Sequence, residues 1–268
     1  MSSLELMLRE LRLGTVVRHA QDVAIRAERE GWSFTRYLHH VVEMELLERE
    51  QRRMQKRLKE SALPTGKTLT TLEIARLPEP VRRQLPTLCE GHFIAQGHNV
   101  LAFGLPGRGK THLLGAIGQA LIERGYRVLF TPAFKLVQRL LSAKHELRLE
   151  KELRRLDGYA AVILDDIGYL QQNRDEMEVL FTFLAERYER KSVLISSNLV
   201  FSQWDRIFKD PMTTAAAIDR LVHHATILEL TGPSYRTDKA EEKVNEAKPT
   251  LTETNHPTLE ENTNAQSS

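Results

Sequence analysis

One short stretch of this 268-residue chain has residue types and spacing that select a single kind of chemistry. Gly104-Leu105-Pro106-Gly107-Arg108-Gly109-Lys110-Thr111 follows the pattern G-x-x-x-x-G-K-[ST]. An apolar run, Asn99 to Phe103, leads into it, and a helix-forming run, Thr111 to Ala116, leads out. Glycines allow such a loop to curl with its N–H groups turned inward, a shape that side chains would obstruct. The start of the following helix adds its positive dipole end beneath a bound anion. The expected ligand is ATP, cradled by the loop residues and by His112 in the helix's first turn. Lys110 is expected to reach the β and γ phosphates, and the Thr111 hydroxyl to ligate Mg²⁺.

Magnesium needs a second anchor. Ala160-Ala161-Val162-Ile163-Leu164-Asp165-Asp166 is an apolar strand ending in two acids, about fifty residues downstream. Asp165 is expected to hold Mg²⁺ directly or through water, and Asp166 to orient or deprotonate an attacking water. In isolation the same pair reads as an ordinary helix cap; the upstream phosphate loop gives it meaning. A third strand, Val193-Leu194-Ile195-Ser196-Ser197-Asn198, also ends in polar residues. Asn198 is suited to hydrogen-bond both the water and the terminal phosphate.

These residues require a framework of alternating strands and helices. Strands are expected at His98–Gly104, Tyr126–Thr131, Ala160–Asp165, Ser192–Ser197 and Thr226–Leu230. Helices are expected at Lys110–Arg124, Ala133–Leu149, Asp175–Arg190 and Ala215–His223. Strands this apolar, separated by helices, predict an α/β fold with a parallel five-stranded sheet covered on both faces. Residues 1–63 lack prolines until the exit at Leu63-Pro64-Thr65-Gly66 and predict a small all-α N-terminal domain. There Leu38, Val41, Val42, Leu46 and Leu47 share one helix face, and Ser33 is placed as a cap. Residues 64–236 form the expected ATPase domain, and 237–268 an acidic, polar tail with too little to bury for folding.

Composition narrows the classes further. Hydrophobic residues make up 41% of the chain, enough for a substantial core, yet no apolar run is long enough to span a bilayer. Glu5 interrupts the N-terminus where a signal peptide would need an apolar core, so a cytoplasmic protein is expected. The single cysteine, Cys89, excludes an internal disulfide and reads as a small apolar residue. The tail from Asp238 carries three lysines against seven acids, a charge of −4, which leaves +6 on the body of a chain whose total is +2. That balance is compatible with nucleic acid without requiring it.

The phosphate loop, paired acids and Asn198, in this order and spacing, resemble an AAA+ ATPase. Gly107-Arg108-Gly109-Lys110-Thr111-His112-Leu113, Val162 to Gly168, Asp219-Arg220-Leu221 and Ser234-Tyr235-Arg236 are similar to the group of IstB-like transposition helpers and DnaC-type helicase loaders. Leu11-Arg12-Leu13, Trp32-Ser33, Tyr37-Leu38, Arg49-Arg52-Arg53 and Ala62-Leu63-Pro64 resemble the IstB-type pattern. The resemblance implies that Arg220 is an arginine finger acting on the γ-phosphate of a neighbouring subunit, and that Arg236 is a second sensor. The alternative for Arg220 is a helix-surface arginine paired with Asp219 or with a carboxylate a turn away. The family's loop usually has other residues at Leu105 and Arg108, positions expected to point away from the phosphates. Asp166 stands where a longer glutamate is commoner in the superfamily.

The resemblance also implies an ATP-dependent homo-oligomer that binds duplex DNA without sequence preference and assists a cognate transposase; a replicative helicase loader is the alternative. Two basic series are candidates for phosphate contact: Lys135, Arg139, Lys144, Arg148, Lys151, Arg154 and Arg155, and Arg49, Arg52, Arg53, Lys56 and Arg57. Both interleave with glutamates and read equally as solvated helix faces. A nucleotide kinase sharing the loop is disfavoured, because two acids and an Asn suit activation of water rather than of a bound acceptor.

Overall fold

The computed structural model describes residues 3–169, 174–204 and 211–232. The sheet contains β1 (Asn99–Phe103), β2 (Val128–Pro132), β3 (Ala161–Asp165), β4 (Ser192–Ser197) and β5 (Ala225–Glu229). Its strands are all parallel, in the order β2-β3-β4-β1-β5. Helices precede and connect them: α1 (Ser3–Glu10), α2 (Gly14–Arg29), α3 (Phe34–Glu60), α4 (Glu79–Glu90), the single turn α5 (His92–Ala95), α6 (Lys110–Glu123), α7 (Ala133–His145), α8 (Leu149–Asp157), α9 (Arg174–Arg187) and α10 (Pro211–Val222).

Period-two alternation divides the strand side chains between two cores. Leu101, Phe103, Val162, Leu164, Val193 and Ile195 point to the face covered by α7, α8, α9 and α10. Val100, Ala102, Ala161, Ile163 and Leu194 point to the face covered by α4 and α6. Because both faces are buried along β1, β3 and β4, those strands read as unbroken apolar runs and are legible in the sequence for that reason, whereas the edge strands β2 and β5 are buried only in part. The helix expected over Ala133–Leu149 ends at His145, and a second, α8, follows it over Leu149–Asp157. The chain reverses at Leu147, which has φ 55° and a fully exposed side chain. The turn brings Leu149, Leu153 and Leu156 of α8 onto the core, where a continuing α7 would carry them into solvent.

The N-terminal helices make their own small core from Val16, Val23 and Val41, flanked by Leu8, Trp32 and Tyr37. Ser33 caps α3, its hydroxyl accepting from the Arg36 amide at 3.2 Å. Glu45 of α3 is buried and accepts from the Thr15 and Val16 amides at 2.7 and 3.3 Å, capping α2 from outside. Burial alone would raise its carboxyl; those amides and Arg49, 2.8 Å away, outweigh it and hold it below the ordinary range. The neighbouring Glu48 is brought down to about 2 by Arg18 and then by the Thr15 hydroxyl. The apolar face expected on α3 is not a core face: Val41 alone is buried, and Leu38, Val42, Leu46 and Leu47 stand exposed. Glu45 and Val41 set which side of α3 faces α2, and that side differs from the one with the most leucines.

The long α3, about 40 Å from end to end, continues onto the sheet domain, where Met54 and the following Leu63 pack against the α4–α6 face. The Ser61 carbonyl accepts from the Phe130 amide at 2.7 Å, satisfying part of the edge of β2. The linker then crosses α6 at two glycines. A Cβ on Gly115 would lie 3.1 Å from Lys67 Cβ, and one on Gly118 would lie 2.7 Å from Ile163 Cδ1 and 3.1 Å from Leu63 Cδ2. Among the described residues no helix is long and apolar enough to cross a membrane.

A buried arginine sets the position of β4. Arg187, at the end of α9, donates to the carbonyls of Leu156, Tyr159 and Ser192, each at 3.0 Å. Burial lowers its guanidinium to about 10, so the group remains charged at neutral pH. These bonds fasten the C-terminal end of α8 and the first residue of β4 to α9. Arg187→Met keeps the volume but leaves buried carbonyls without donors, with an expected loss of about 3 kcal/mol. Urea unfolding of the variant should show a lower midpoint; an unchanged midpoint would mean that water replaces the guanidinium without cost.

Candidate functional site

The phosphate loop joins β1 to α6 at the C-terminal edge of the sheet. Gly104, Gly107 and Gly109 have φ of 154°, 81° and 85°, conformations that side chains disfavour. At Gly104 a Cβ would also lie 2.6 Å from the Leu230 carbonyl oxygen, so a glycine is required twice over. Leu105 and Pro106 are exposed, and Gly107, Arg108 and Gly109 are half-buried. Lys110 is only 5% exposed and folds back on the loop, its Nζ 2.7 Å from the Gly104 carbonyl and 3.1 Å from that of Leu105. An ammonium held by loop carbonyls sits at the centre of the curl, where an anion would exchange those contacts for its own.

The two metal-site candidates meet. Thr111 Oγ1 lies 3.0 Å from both Asp165 carboxylate oxygens. A hydroxyl and a carboxylate converging on one point form an all-oxygen donor set, which fits magnesium. The strand order supplies a third partner that residue spacing does not reveal. β4 lies between β1 and β3, so its end fills the gap beneath this contact. Ser196 of β4, fully buried, donates from Oγ to Asp165 Oδ1 at 2.6 Å and accepts the Asp166 amide at 2.8 Å. The clue in the sequence is a pair of serines at the end of an otherwise apolar strand.

Asp166 leaves the strand with φ 57°, left-handed backbone that aspartate tolerates better than most residues. At this turn its amide stays pinned to Ser196. Asn198 approaches from the end of β4. Its Oδ1 is buried without a hydrogen-bond partner among the described residues and lies directly over Gly168, where a Cβ would come within 2.1 Å of it. An acceptor in that state fits a water, which has hydrogens to donate. His112 faces the linker: its Nε2 is 3.0 Å from Thr71 Oγ1 and 3.1 Å from the Thr68 carbonyl. The first turn of the phosphate-loop helix thus touches the strap leading from the N-terminal helices.

Arg220 lies elsewhere. It is one residue before Leu221, whose carbonyl accepts from Asn99 Nδ2 at 3.2 Å, at the start of β1. Five strand residues, roughly 16 Å, separate that end from Gly104, further than an arginine side chain extends. Arg220 makes no ion pair with Asp219; Nη1 donates to the Ala216 carbonyl at 3.1 Å and the guanidinium lies 4.8 Å from the Phe181 ring centre. Arg236 falls outside the described residues.

Most of the basic residues have acidic partners. Arg139 pairs with Glu152, Arg148 with Glu146, Arg154 with Glu150 and Arg155 with Glu152. Lys144 pairs with Asp175 and Glu178, and Arg49, Arg52 and Lys56 with Glu45, Glu48 and Glu60. Among the described residues, no ion pair is seen for Lys135, Lys151, Arg53 or Arg57.

Known proteins resemble this chain in sequence and in fold. The family model for IstB-like ATP binding proteins matches residues 6–243. An insertion sequence ATP-binding protein of Sinorhizobium fredii is 45% identical over 240 residues, spanning 89% of this chain and 80% of that protein. The insertion sequence IS21 ATP-binding protein of Pseudomonas aeruginosa is 37% identical over 236 residues, 88% of this chain and 89% of its own length. Among solved structures, the DnaC helicase loader aligns over 57% of this chain and 89% of its own, with a TM-score of 0.51 at 20% identity. A DnaA replication initiator bound to AMPPCP and single-stranded DNA aligns over 72% of this chain and 58% of its own, with a TM-score of 0.55 at 19% identity. These two likenesses are of fold alone. The match along most of its length and the two close relatives establish that the chain belongs to the family of IstB-like ATP binding proteins.

Proposed function

We propose that this chain is an ATPase that assembles with ATP on duplex DNA and assists the transposase of its insertion sequence. The observation that carries the ATPase part is the meeting of Thr111, Asp165 and Ser196 beside the Asp166 turn. Lys110 exchanges the loop carbonyls for the β and γ phosphates, and the amides of Gly107 to Thr111 take the remaining oxygens. Thr111 and Asp165 hold Mg²⁺, which when bound neutralises phosphate charge. Asp166 accepts a proton from, or orients, the attacking water, and the free Oδ1 of Asn198 takes its second hydrogen. Two acids and an asparagine suit activation of water rather than of a bound acceptor, which disfavours a kinase.

Lys110→Ala is expected to lose ATP binding and every ATP-dependent step. Asp166→Asn is expected to keep binding and reduce hydrolysis by about a hundredfold or more, trapping the assembled state. Nucleotide binding by fluorescent ATP and phosphate release measure the two separately; equal loss of binding in both variants would exclude Asp166 as the residue that handles the water.

The position of Arg220 at the far end of β1 prevents it from completing the site of its own chain. We infer that it serves a neighbour, where a guanidinium stabilises the charge spread over the transferred phosphoryl. Arg236 is proposed as the second sensor, on the family resemblance alone. Mixing the two inactive chains Lys110→Ala and Arg220→Ala tests the trans arrangement. One supplies the arginine and the other the intact loop, so up to about a quarter of wild-type ATPase activity per interface is expected to return. No recovery, with oligomers still forming, would place Arg220 outside the site.

The proposed DNA partner rests on the basic body charge and on the names of the relatives. Because most of both basic series is internally paired, phosphate contact falls to about four cations per chain: Lys135, Lys151, Arg53 and Arg57. The affinity for a duplex should therefore fall with salt at a logarithmic slope no steeper than about −4 per bound chain, and only with ATP present. Binding and oligomer size indifferent to ATP would overturn the assembly mechanism. The fold likeness to DnaC brings no helicase with it; capture of a helicase rather than a transposase by the full chain would revive the loader reading.

A further inference from the structure

At the foot of the sheet, opposite the phosphate loop, three turns converge. α9 ends and the chain turns through Tyr188 and Glu189, the latter at φ 54°. α10 ends and is followed by His223 and His224, which lead into β5. His98 precedes β1, and Gly97 beside it packs so tightly that a Cβ would lie 2.9 Å from the Glu189 carbonyl carbon.

The side chains of these turns bring three donors together. Glu189 Oε1 lies 3.5 Å from His223 Nδ1 and 3.9 Å from His224 Nε2, and all three donor atoms fall within 4.8 Å of one another. A tetrahedral ion with metal–nitrogen bonds near 2.1 Å spaces its donors about 3.4 Å apart. Two of the three separations are already close to that value, and the exposed side chains can close the third by small rotations. The rings are also held by neighbours. His98 stacks on His224 with centroids 4.9 Å apart and planes 16° apart, and Tyr188 Oη lies 2.9 Å from His223 Nδ1. A cation bound at Nδ1 takes the lone pair that would otherwise accept the phenol, so metal binding displaces the Tyr188 contact.

We propose that Glu189, His223 and His224 form a site for a divalent transition metal of the zinc class. Two imidazoles and one carboxylate select such ions over magnesium, which prefers oxygen alone. The site is separate from the Thr111–Asp165 pair, since the two lie at opposite ends of β1. A metal there ties the end of α9, the end of α10 and the entry to β5 to one point. The fourth position faces solvent, as expected for three exposed ligands.

The test uses the full chain with saturating MgADP, which occupies the phosphate site with a hard cation. Zn²⁺ is titrated in competition with a chromophoric chelator of micromolar affinity. One Zn²⁺ per chain is expected. His223→Ala and His224→Ala should each weaken binding at least tenfold, and Glu189→Gln several-fold, while His19→Ala on α2 should leave it unchanged. A second measurement needs no variant: Zn²⁺ should protect His223 and His224, and not His19, from acylation by diethylpyrocarbonate, read by mass spectrometry. Absence of competition by the wild-type chain, undiminished binding in the His223→Ala/His224→Ala double variant, or equal acylation with and without Zn²⁺ would each overturn the proposal. None of these readouts involves ATP hydrolysis, so the result stands or falls independently of the proposed ATPase function.

Discussion

The contact on which the candidate ATP site depends is the Asp165 carboxylate accepting two hydroxyls, from Thr111 and Ser196. Thr111 follows β1 and Asp165 ends β3, and β4 stands between those strands. Neighbouring strands lie about 4.8 Å apart, so the loop must lean across the end of β4 for Thr111 to reach 3.0 Å from Asp165. A large side chain at the end of β4 would prevent this. Ser196 is small, buried and able both to donate and to accept, so it fills the gap and satisfies Asp165 and the Asp166 amide together. The strand order, the serine and the left-handed turn at Asp166 are therefore one arrangement seen from three sides.

What supports that arrangement is mostly remote from it. Arg187 fixes the first residue of β4 at the other end of the strand, and Asn99 ties β1 to β4 by accepting the Val193 amide at 2.9 Å. Both bonds place a charged or amide group in the core with its partners supplied by backbone, the condition under which burial of a polar group is tolerated. The register Leu101 with Ile195 and Ala102 with Ser196 then carries that placement up to the phosphate end.

The parts legible in the sequence are those whose cause is local. The loop spacing, the apolar strands and the Ser33 cap depend on residues close together in the chain, and each appears where expected. The parts that are not legible depend on partners distant in sequence. The turn at Leu147 follows from the core's demand for the leucines of α8. The burial of Val41 and Glu45, rather than of the leucine-rich face of α3, follows from the exposed amides of α2. The basic series have a charge pattern that looks the same whether the acids between them are paired or solvated, and only coordinates distinguish the two. Ser196 is visible as part of a polar strand end, but its task depends on the strand order, which alternation alone does not give.

The sheet also separates two chemistries along its length. At the C-terminal ends of the strands lie the phosphate loop, both acids and Asn198; at the N-terminal ends lie Arg220 and the histidine-rich turns. β1 spans the distance between them as a rigid, fully buried rod. A residue at the foot of the sheet is therefore kept from the phosphate loop of its own chain by the same packing that builds that loop. The linker offers the other connection: it leaves α3 at Ser61 bonded to β2, crosses α6 at Gly115 and Gly118, and meets His112 one residue past Thr111. A shift of the loop helix large enough to break the His112 contacts must displace the strap as well, because the two glycines leave it no clearance. The helical N-terminal region is thereby joined mechanically to the residue that follows the candidate magnesium ligand, through contacts that its own sequence does not reveal.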